Sequence, residues 1–196
     1  MSDNILSVRL RLVPLTPDAL EGMLEGDGST AAVLLGVDPP TEWMEGERFV
    51  FALRRDQMRR DPSEQPWLLR GIVSREVPPV AIGQIGFHEP PGADGYVEIG
   101  YMVFPEHRRR GYAEEATRAM IGWAGEQPGV RGIRASVSPD NEPSLNLVRK
   151  LGFAQTGSQI DEIDGLELVF ELPTSGGFDQ TNSAAEKNQF ARCSGG

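Results

Sequence analysis

Three strand-like segments follow one another in the middle of the chain, and proline-containing turns separate them. The segments cover residues 66–75, 80–88 and 95–104, and each is dominated by apolar, β-branched and aromatic residues, which is typical of strands. The first turn contains two consecutive prolines and the second spans residues 90–95; both interrupt regular structure. Three strands with short connections favour an antiparallel meander, so the chain must build its core around a sheet.

Helices and further strands are predicted on both sides of this meander. Alternating apolar residues over 6–13 predict an opening strand, and Thr16 followed by Pro17 predicts a helix that ends near Leu24. A longer amphipathic helix is expected over residues 42–60. Beyond the meander we expect helices and strands to alternate before two final strands, with helices at 111–125 and 142–151 and strands at 130–137, 153–160 and 166–172.

This order predicts an α+β domain with a mixed, mostly antiparallel central sheet of about seven strands, flanking helices and one β–α–β unit at its centre. We expect the domain to span residues 1–173. Residues 174–196 are rich in Ser, Gly and Asn and poor in apolar residues, which indicates a flexible C-terminal tail.

Charge and composition exclude several classes of protein. The chain carries 19 basic and 29 acidic residues, a net charge of −10, which argues against nucleic-acid binding because that affinity depends on clustered Lys and Arg. No apolar run approaches the ~20 residues that cross a bilayer, and Cys193 is the single cysteine, which excludes an internal disulfide. We therefore expect a cytoplasmic protein with no membrane or nucleic-acid partner. The excess of Arg over Lys favours a bacterial source.

No metal site is predicted from the sequence. His88 is followed by Glu-Pro-Pro rather than by the Glu-x-x-His that places two ligands on one helix face. His107 stands beside arginines and has no Cys or Asp at a ligand spacing. We therefore assign no metal ligands.

The most informative segment is the junction between the third strand of the meander and the helix that follows it. Residues 101–116 run from a strand into a turn with three arginines, Arg108, Arg109 and Arg110, and then through Gly111 into a helix. The first turn of a helix has unpaired backbone N–H groups and the positive end of the helix dipole, so it binds phosphate readily. Arginine adds countercharge and planar donors. The alternative is a solvated basic loop before a surface helix.

The junction also fits the pattern Gln/Arg-x-x-Gly-x-Gly/Ala at Arg108, Gly111 and Ala113. About thirty residues further on, Asn141 and Ser144 open a helix that closes with Leu-Gly-Phe. The two motifs together strongly resemble the GNAT superfamily of acyl-CoA-dependent N-acyltransferases, and the resemblance covers residues 6–172. The residues around both motifs are most similar to those of the RimJ/RimL-type branch, which acetylates the N-terminal amines of ribosomal proteins and includes relatives that act on small amines.

The resemblance implies a site for acetyl-CoA as co-substrate. The strand edge at Met102 and Val103 would pair with the pantetheine arm where two central strands splay apart at a bulge, and the Val103 N–H would polarise the thioester carbonyl. Asn141 would hydrogen-bond the same arm. The pyrophosphate would be held beside Arg108 by the backbone amides of Arg109, Arg110, Gly111, Tyr112, Ala113 and Glu114.

The resemblance also implies candidates for proton transfer. Glu98 matches an acidic position that often serves as the base in this branch, directly or through water; the alternative is a surface carboxylate or a partner for an arginine. Many family members place a tyrosine seven positions after the asparagine, but here that position is Val148. Ser144 would then orient or protonate the leaving sulfur, or would simply cap backbone N–H groups.

The predicted function is therefore transfer of the acetyl group of acetyl-CoA to a primary amine by direct attack, on a protein N-terminus or a small molecule. The acidic surface favours a cationic acceptor. Two alternatives stand beside this prediction. One is a non-catalytic acyl-CoA-binding module of the same fold, and the other is a scaffold protein whose arginines meet an acidic partner. The last strands of this family often form dimer contacts, so the resemblance also admits a homodimer.

Overall fold

The computed structural model describes residues 4–161 and 165–174. Eight strands lie within this part of the chain: β1 (Ile5–Leu6), β2 (Leu10–Pro14), β3 (Arg70–Ser74), β4 (Ala81–Phe87), β5 (Tyr96–Val103), β6 (Gly132–Val137), β7 (Ala154–Asp161) and β8 (Gly165–Pro173). The helices of the same part are α1 (Pro17–Glu25), α2 (Ser29–Leu35), α3 (Thr41–Gly46), α4 (Arg48–Arg60), α5 (Tyr112–Gly125) and α6 (Glu142–Leu151).

The strands form one sheet in the order β1-β2-β3-β4-β5-β6-β8-β7. Neighbouring strands are antiparallel except for β5 and β6, which are parallel and are joined through α5. The α+β class and the mixed, mostly antiparallel sheet are therefore confirmed, and so is the central β–α–β unit. The described residues contain eight strands rather than about seven.

The additional strand arises because the opening segment is not continuous. The prediction of one strand over residues 6–13 is wrong: β1 and β2 form a tight hairpin in which Ile5 pairs with Leu12. The Ser7 N–H donates to the Leu10 carbonyl at 3.0 Å, and the Leu10 N–H donates back to the Ser7 hydroxyl at 3.1 Å. Val8 lies at the turn with its side chain exposed, although the alternation had placed it on the apolar face.

The predicted helix over residues 42–60 is divided into α3 and α4 at Glu47, whose backbone leaves the helical region with φ −107 and ψ 20. Trp43 on α3 and Phe51 on α4 are both buried, and their rings meet edge-to-face at 5.8 Å between centroids. The break follows Gly46, which is a weak helix former. It lets both aromatic side chains reach the same core.

Helices cover the two faces of the sheet and create two cores. The helices α1 to α4 pack on one face around buried side chains such as Leu20 and Trp43. The other face is covered by α5 and α6, which contribute Met120 and Leu145 to a separate cluster. Because both faces are covered, a ligand can reach the middle of the sheet only where strands separate.

Such a separation occurs between β5 and β6. The two strands pair over three residues, from Tyr96 with Gly132 to Glu98 with Arg134. Beyond that point β5 stays paired with β4 up to Val103, whereas β6 stays paired with β8 up to Val137. The strands therefore splay into a wedge, as the resemblance implied. The bulge expected at this place is not there, because the register between β4 and β5 is continuous and the shift lies between β3 and β4 instead.

The end of the described chain is tied to the domain. The Thr174 N–H donates to the Arg131 carbonyl at 3.0 Å, and its hydroxyl donates to the Val130 carbonyl at 3.3 Å. The rest of the predicted tail lies outside the described residues, as does Cys193. Among the described helices, no segment is both long and apolar enough to cross a membrane.

Candidate functional site

The wedge between β5 and β6 opens into a groove of about 660 Å³. Its walls are the end of β5, the arginine-rich turn, the start of α5 and the first turns of α6. The lining residues are Tyr101, Met102, Val103, His107, Arg108, Arg109, Gly111, Tyr112, Ala113, Glu114, Asn141, Pro143, Ser144, Asn146, Leu147 and Lys150. An extended strand edge and two helix N-termini therefore face one long groove.

The turn before α5 is shaped by two left-handed residues. Arg109 has φ 61 and Gly111 has φ 78, and the helix begins immediately afterwards at Tyr112. Gly111 stands at the N-cap position, where no side chain accepts a hydrogen bond from the first helical turn. The N–H groups of Tyr112, Ala113 and Glu114 are thus available at the positive end of a 14-residue helix. This arrangement is suited to a phosphate group.

Two contacts adjust the charge and shape of this end of the groove. The Arg108 Nε donates to the Val103 carbonyl at 3.0 Å and ties the turn to the strand. Glu114 would repel an anion, but it accepts from Lys150 at 2.6 Å and from Arg118 at 3.1 Å. These hydrogen bonds lower the pKa of Glu114, and the two cations leave the local charge positive.

A segment of the N-terminal hairpin supports the same turn from outside. The Glu115 carboxylate accepts from the Arg9 N–H and Nε, each at 2.6 Å, and from the Ser7 hydroxyl at 2.7 Å. The Arg9 Nη1 then donates to the Arg110 carbonyl at 3.0 Å, and its guanidinium lies 4.6 Å from the centre of the Tyr112 ring. Arg9 and Glu115 therefore hold the turn in place without lining the groove.

At the opposite wall, α6 presents two polar side chains near β5. Asn141 is the N-cap, and its Oδ1 accepts from the Ser144 N–H at 3.2 Å. The Ser144 hydroxyl lies 3.1 Å from the phenolic oxygen of Tyr101 on β5. Burial raises the pKa of Tyr101, and the contact with Ser144 opposes that rise. The two hydroxyl groups thus form a pair inside the groove, while Val148 is buried in the core.

A second, smaller pocket of about 220 Å³ lies on the α4 side of the sheet. Tyr101 and Met102 line both cavities, so the groove and the pocket meet at these two residues. The remaining lining residues of the pocket are Glu47, Val50, Arg54, Leu69, Gln84, Gly86, Phe87, His88 and Gly100. Two molecules bound in the two cavities would approach each other at the end of β5.

Similarity to known proteins identifies the family. The model of the acetyltransferase (GNAT) domain matches residues 9–154, which is more than half of the chain.

The chain belongs to the GNAT acetyltransferase family.

Relatives of this GNAT domain include the uncharacterized N-acetyltransferase YoaA of Bacillus subtilis (strain 168), 40% identical over 76 residues, which are 39% of this chain and 43% of YoaA. The N-acetyltransferase 9-like protein of Caenorhabditis elegans is 37% identical over 95 residues, which are 48% of this chain and 45% of that protein. The chain thus spans less than half the length of these relatives.

Solved structures show the same fold at low identity. Mycobacterium smegmatis RimJ in complex with CoA-disulfide superposes with a TM-score of 0.62 at 17% identity, covering 89% of this chain and 89% of that one. A putative ribosomal-protein-serine acetyltransferase from Vibrio cholerae has a TM-score of 0.60 at 18% identity, covering 87% of this chain and 97% of its own. RimJ-type proteins are therefore among the structural neighbours.

Most of the residues predicted for the donor site line the groove of this GNAT domain. Two predicted residues do not. Arg110 is absent from the lining and contributes its carbonyl to the contact with Arg9, and Glu98 lines neither cavity. The residues found together are Met102, Val103, Arg108, Arg109, Gly111, Tyr112, Ala113, Glu114, Asn141 and Ser144.

Glu98 instead faces His88, which does line the second pocket. The Glu98 Oε1 lies 3.9 Å from the His88 Nδ1. The other ring nitrogen of His88 leans towards Gly100, where a Cβ would stand 3.0 Å from it. Partial burial lowers the pKa of His88 although Glu98 acts to raise it, which favours the neutral form of the ring. An imidazole with a carboxylate behind it is suited to accept a proton.

Sequence reasoning missed several of these residues. His88 was considered only as a metal ligand, although Gln84, Gly86 and His88 alternate along the strand predicted over residues 80–88 and so share a face of it. The described residues contain no cluster of three or more His, Cys, Asp or Glu side chains that could hold a metal ion. Nothing local indicates that Tyr101 meets Ser144, because the two lie 43 positions apart.

Proposed function

We propose that this GNAT domain transfers the acetyl group of acetyl-CoA to a primary amine by direct attack. The observation that carries the proposal is the meeting of the two cavities at Tyr101 and Met102, where β5 has left β6. A donor in the groove and an amine in the pocket would come together there without crossing the core.

The groove fits the chemistry of a CoA thioester. Free N–H groups at the start of α5, together with Arg108 and Arg109, suit the pyrophosphate. The long unpaired edge of β5 suits the amide groups of the pantetheine arm. The RimJ structure was solved with CoA-disulfide, and its fold is the fold of this chain. Asn141 keeps its side-chain NH₂ for the arm because its cap uses the oxygen.

The backbone of β5 supplies a donor for the reacting carbonyl. Alternate residues of a strand direct their backbone groups to opposite neighbours. The Glu98 carbonyl accepts from the His88 N–H, and the Phe104 N–H donates to the Ile82 carbonyl, so even-numbered residues of this stretch face β4. The Val103 N–H accordingly faces the wedge. A thioester oxygen bound there would gain a hydrogen bond as negative charge develops on it.

Proton transfer needs one acceptor and one donor. We assign His88 as the group that accepts the proton of the amine through water, and Glu98 as the carboxylate that stabilises the charged form of the ring. As the amine nitrogen bonds to the acetyl carbon, the carbon–sulfur bond breaks and the thiolate leaves. Ser144 then donates its proton to the sulfur and takes the proton of Tyr101, which regains one from water in the groove; this pair stands in place of the tyrosine that Val148 replaces.

A thermal-unfolding experiment tests the donor site. A ligand at 100 times its dissociation constant stabilises the native state by roughly 2.7 kcal/mol. For a chain of this size that raises the midpoint of unfolding, Tm, by about 5–11 °C. We expect such a rise with CoA and with acetyl-CoA. Arg109→Gln should reduce it, whereas the matched control Arg110→Gln should not, because Arg109 lines the groove and Arg110 does not. No rise at millimolar CoA would instead favour the scaffold alternative.

A thiol-release assay with a panel of amines then separates an enzyme from a non-catalytic acyl-CoA-binding module. Catalysis predicts amine-dependent release of CoA, and it predicts that His88→Ala abolishes this release while the Tm rise with acetyl-CoA remains. A clear Tm rise without release by any amine would favour the binding module.

A further inference from the structure

The second pocket carries opposite charges towards its two ends. Glu47 reaches it at the end next to the groove, since its Oε2 accepts from the Gln84 side chain at 2.7 Å and Gln84 pairs across the sheet with Met102. Arg54 reaches it at the far end, where its Nη1 donates to the His88 carbonyl at 2.6 Å. Gln84 and His88 are four residues apart, which is about 13 Å along a strand.

The carboxylate of Glu47 is held in place from the core. The buried Trp43 Nε1 donates to the Gln84 Oε1 at 2.8 Å, which fixes the side-chain amide so that its NH₂ points to Glu47. No Lys, Arg or His nitrogen among the described residues lies within 4.0 Å of this carboxylate. Glu47 is thus an oriented acceptor whose second oxygen has no cationic partner in the described chain.

Arg54 is held by neutral groups. Its Nη1 donates to the Gln57 Oε1 at 2.7 Å and to the His88 carbonyl, and no carboxylate in the described part of the chain is within 4.0 Å. Glu64 and Glu89 act on it only at longer range. The next residue behaves differently, because Arg55 pairs with Glu21 at 3.1 Å and with Asp56 at 2.8 Å. Arg54 is half-buried in the pocket wall with Nε and Nη2 unused.

We propose that the acceptor carries both an ammonium and a carboxylate, and that Glu47 binds the first while Arg54 binds the second. This inference rests on the proposed function. Glu47 would hold the amino group next to Met102, where the groove begins. The guanidinium of Arg54 would bind the carboxylate through two parallel N–H donors, the geometry that arginine favours. Each bound charge would compensate a protein charge that the described residues leave without a close partner.

The size of the pocket limits what enters it. A volume of about 220 Å³ lies below the roughly 300–1,000 Å³ that is usual for ligand sites. The pocket therefore suits one amino-acid unit. The same chemistry is offered by a free amino acid and by a peptide whose first residues include an acidic side chain. In both, an amine and a carboxylate stand a few bonds apart.

The test uses pairs of acceptors that differ only in the carboxylate. In one arm, free amino acids with an acidic side chain are compared with their side-chain amides. In the other arm, short peptides with an N-terminal Ser-Asp are compared with peptides beginning Ser-Asn. The full chain is assayed for CoA release with acetyl-CoA as donor. We expect kcat/KM to favour the carboxylate member by at least about tenfold, as for one charge-assisted hydrogen bond. The arm that shows this preference tells whether the acceptor is a free amino acid or a peptide.

Variants of Arg54 and its neighbour Arg55 distinguish recognition of the carboxylate from a purely structural role. Arg54→Gln should raise the KM for the carboxylate member about tenfold more than the KM for the amide member, so that the preference disappears. Arg54→Lys should keep part of the preference because it keeps the charge. The matched control Arg55→Gln removes a guanidinium from the same helix and should keep the full preference. Equal losses for both members in Arg54→Gln would show a structural role and overturn the proposal.

Failure of this inference is distinguishable from failure of the proposed function. If CoA is released with simple amines and the carboxylate gives no advantage, the inference is overturned and the proposed function stands. If no amine supports release although acetyl-CoA raises Tm, the proposed function is overturned and the inference with it. A Glu47→Gln variant adds a second readout, since it should raise the KM for both members of a pair to a similar extent.

Discussion

The contact between Glu115 and the N-terminal hairpin gives a prediction about stability and donor binding together. Glu115 is 16% exposed and accepts three hydrogen bonds, one from the Ser7 hydroxyl and two from Arg9. The substitution Glu115→Gln keeps the shape and an oxygen acceptor but removes the charge. We expect the variant to be less stable and to bind CoA more weakly, because Arg9 also holds the carbonyl of Arg110 in the turn.

The size of the effect follows from these contacts. Hydrogen bonds to a charged group contribute about 1.5–3 kcal/mol when they are protected from water. Arg9 is 45% exposed, so solvent screens its ion pair, whereas the backbone N–H and the Ser7 hydroxyl keep weaker bonds to the new amide. The net loss should be roughly 2 kcal/mol, a decrease in Tm of about 4–8 °C for a chain of this size.

The difference in stability between the wild type and Glu115→Gln should depend on pH in one direction. Burial by itself would raise the pKa of Glu115, but the hydrogen bonds from Arg9 and Ser7 leave it below its ordinary value of 4.5. A carboxylate with a depressed pKa stabilises the fold fully above its unfolded pKa and loses that contribution as the pH falls through its folded pKa. The difference between the wild type and Glu115→Gln should therefore be constant near neutral pH, should begin to decrease below about pH 4.5 and should disappear once the pH is below the folded pKa of Glu115.

Thermal unfolding followed by circular dichroism measures this difference, with and without CoA. The control is Glu126→Gln, the same chemical change at the exposed far end of α5, where Glu126 makes no side-chain bond in the described structure. It should leave Tm and the CoA-dependent rise nearly unchanged. If Glu115→Gln behaves like this control, the three contacts do not stabilise the turn and the reasoning is refuted.

Two further predictions concern the second pocket. Because burial lowers the pKa of His88 against the opposing effect of Glu98, kcat/KM should fall only when the pH drops below 6.5, the ordinary pKa of histidine. Glu98→Gln removes the opposing effect, so in a pH–rate profile this decrease should move to lower pH. Complete loss of activity in the variant would instead make Glu98 the base. Trp43→Phe leaves the buried Gln84 oxygen without its donor, so Tm should fall by about 2–12 °C for a cost of about 1–3 kcal/mol. The control Trp123→Phe loses a similar ring but no described hydrogen bond, and an equal decrease in both variants would refute the argument.

Elements with local signals could be predicted from the sequence. The helix predicted at 142–151 has the same bounds in α6, because Asn141 caps its start and Gly152 ends it in the left-handed conformation. The helix beginning at Pro17 is likewise capped by Thr16, whose side chain accepts from the Ala19 N–H. Caps depend on residues three or four positions apart, so they do not need the rest of the fold.

Elements shaped by distant contacts were predicted incorrectly. The opening segment breaks into a hairpin at Ser7, whose hydroxyl donates to Glu115, 108 positions away. The long helix breaks at Glu47, whose carboxylate turns towards Gln84, 37 positions away. In both places the local pattern of apolar residues was regular. A hydrogen bond to a remote element opposed the local pattern in both places, and in the long helix the weak helix former Gly46 adds to the break.

The candidate site divides in the same way. The proposed donor half could be predicted from the sequence, because the arginine-rich turn, Gly111 and the start of α5 are contiguous and their capacity to bind an anion follows from local backbone geometry. The family resemblance added the wedge and the approximate position of the acidic side chain. The proposed acceptor half depends on the tertiary structure, because the pairing of β4 with β5 brings His88 to Glu98 and α4 places Arg54 in the wall of the pocket. Strand register and helix packing determine which side chains share a pocket, and these depend on the whole core rather than on any one segment.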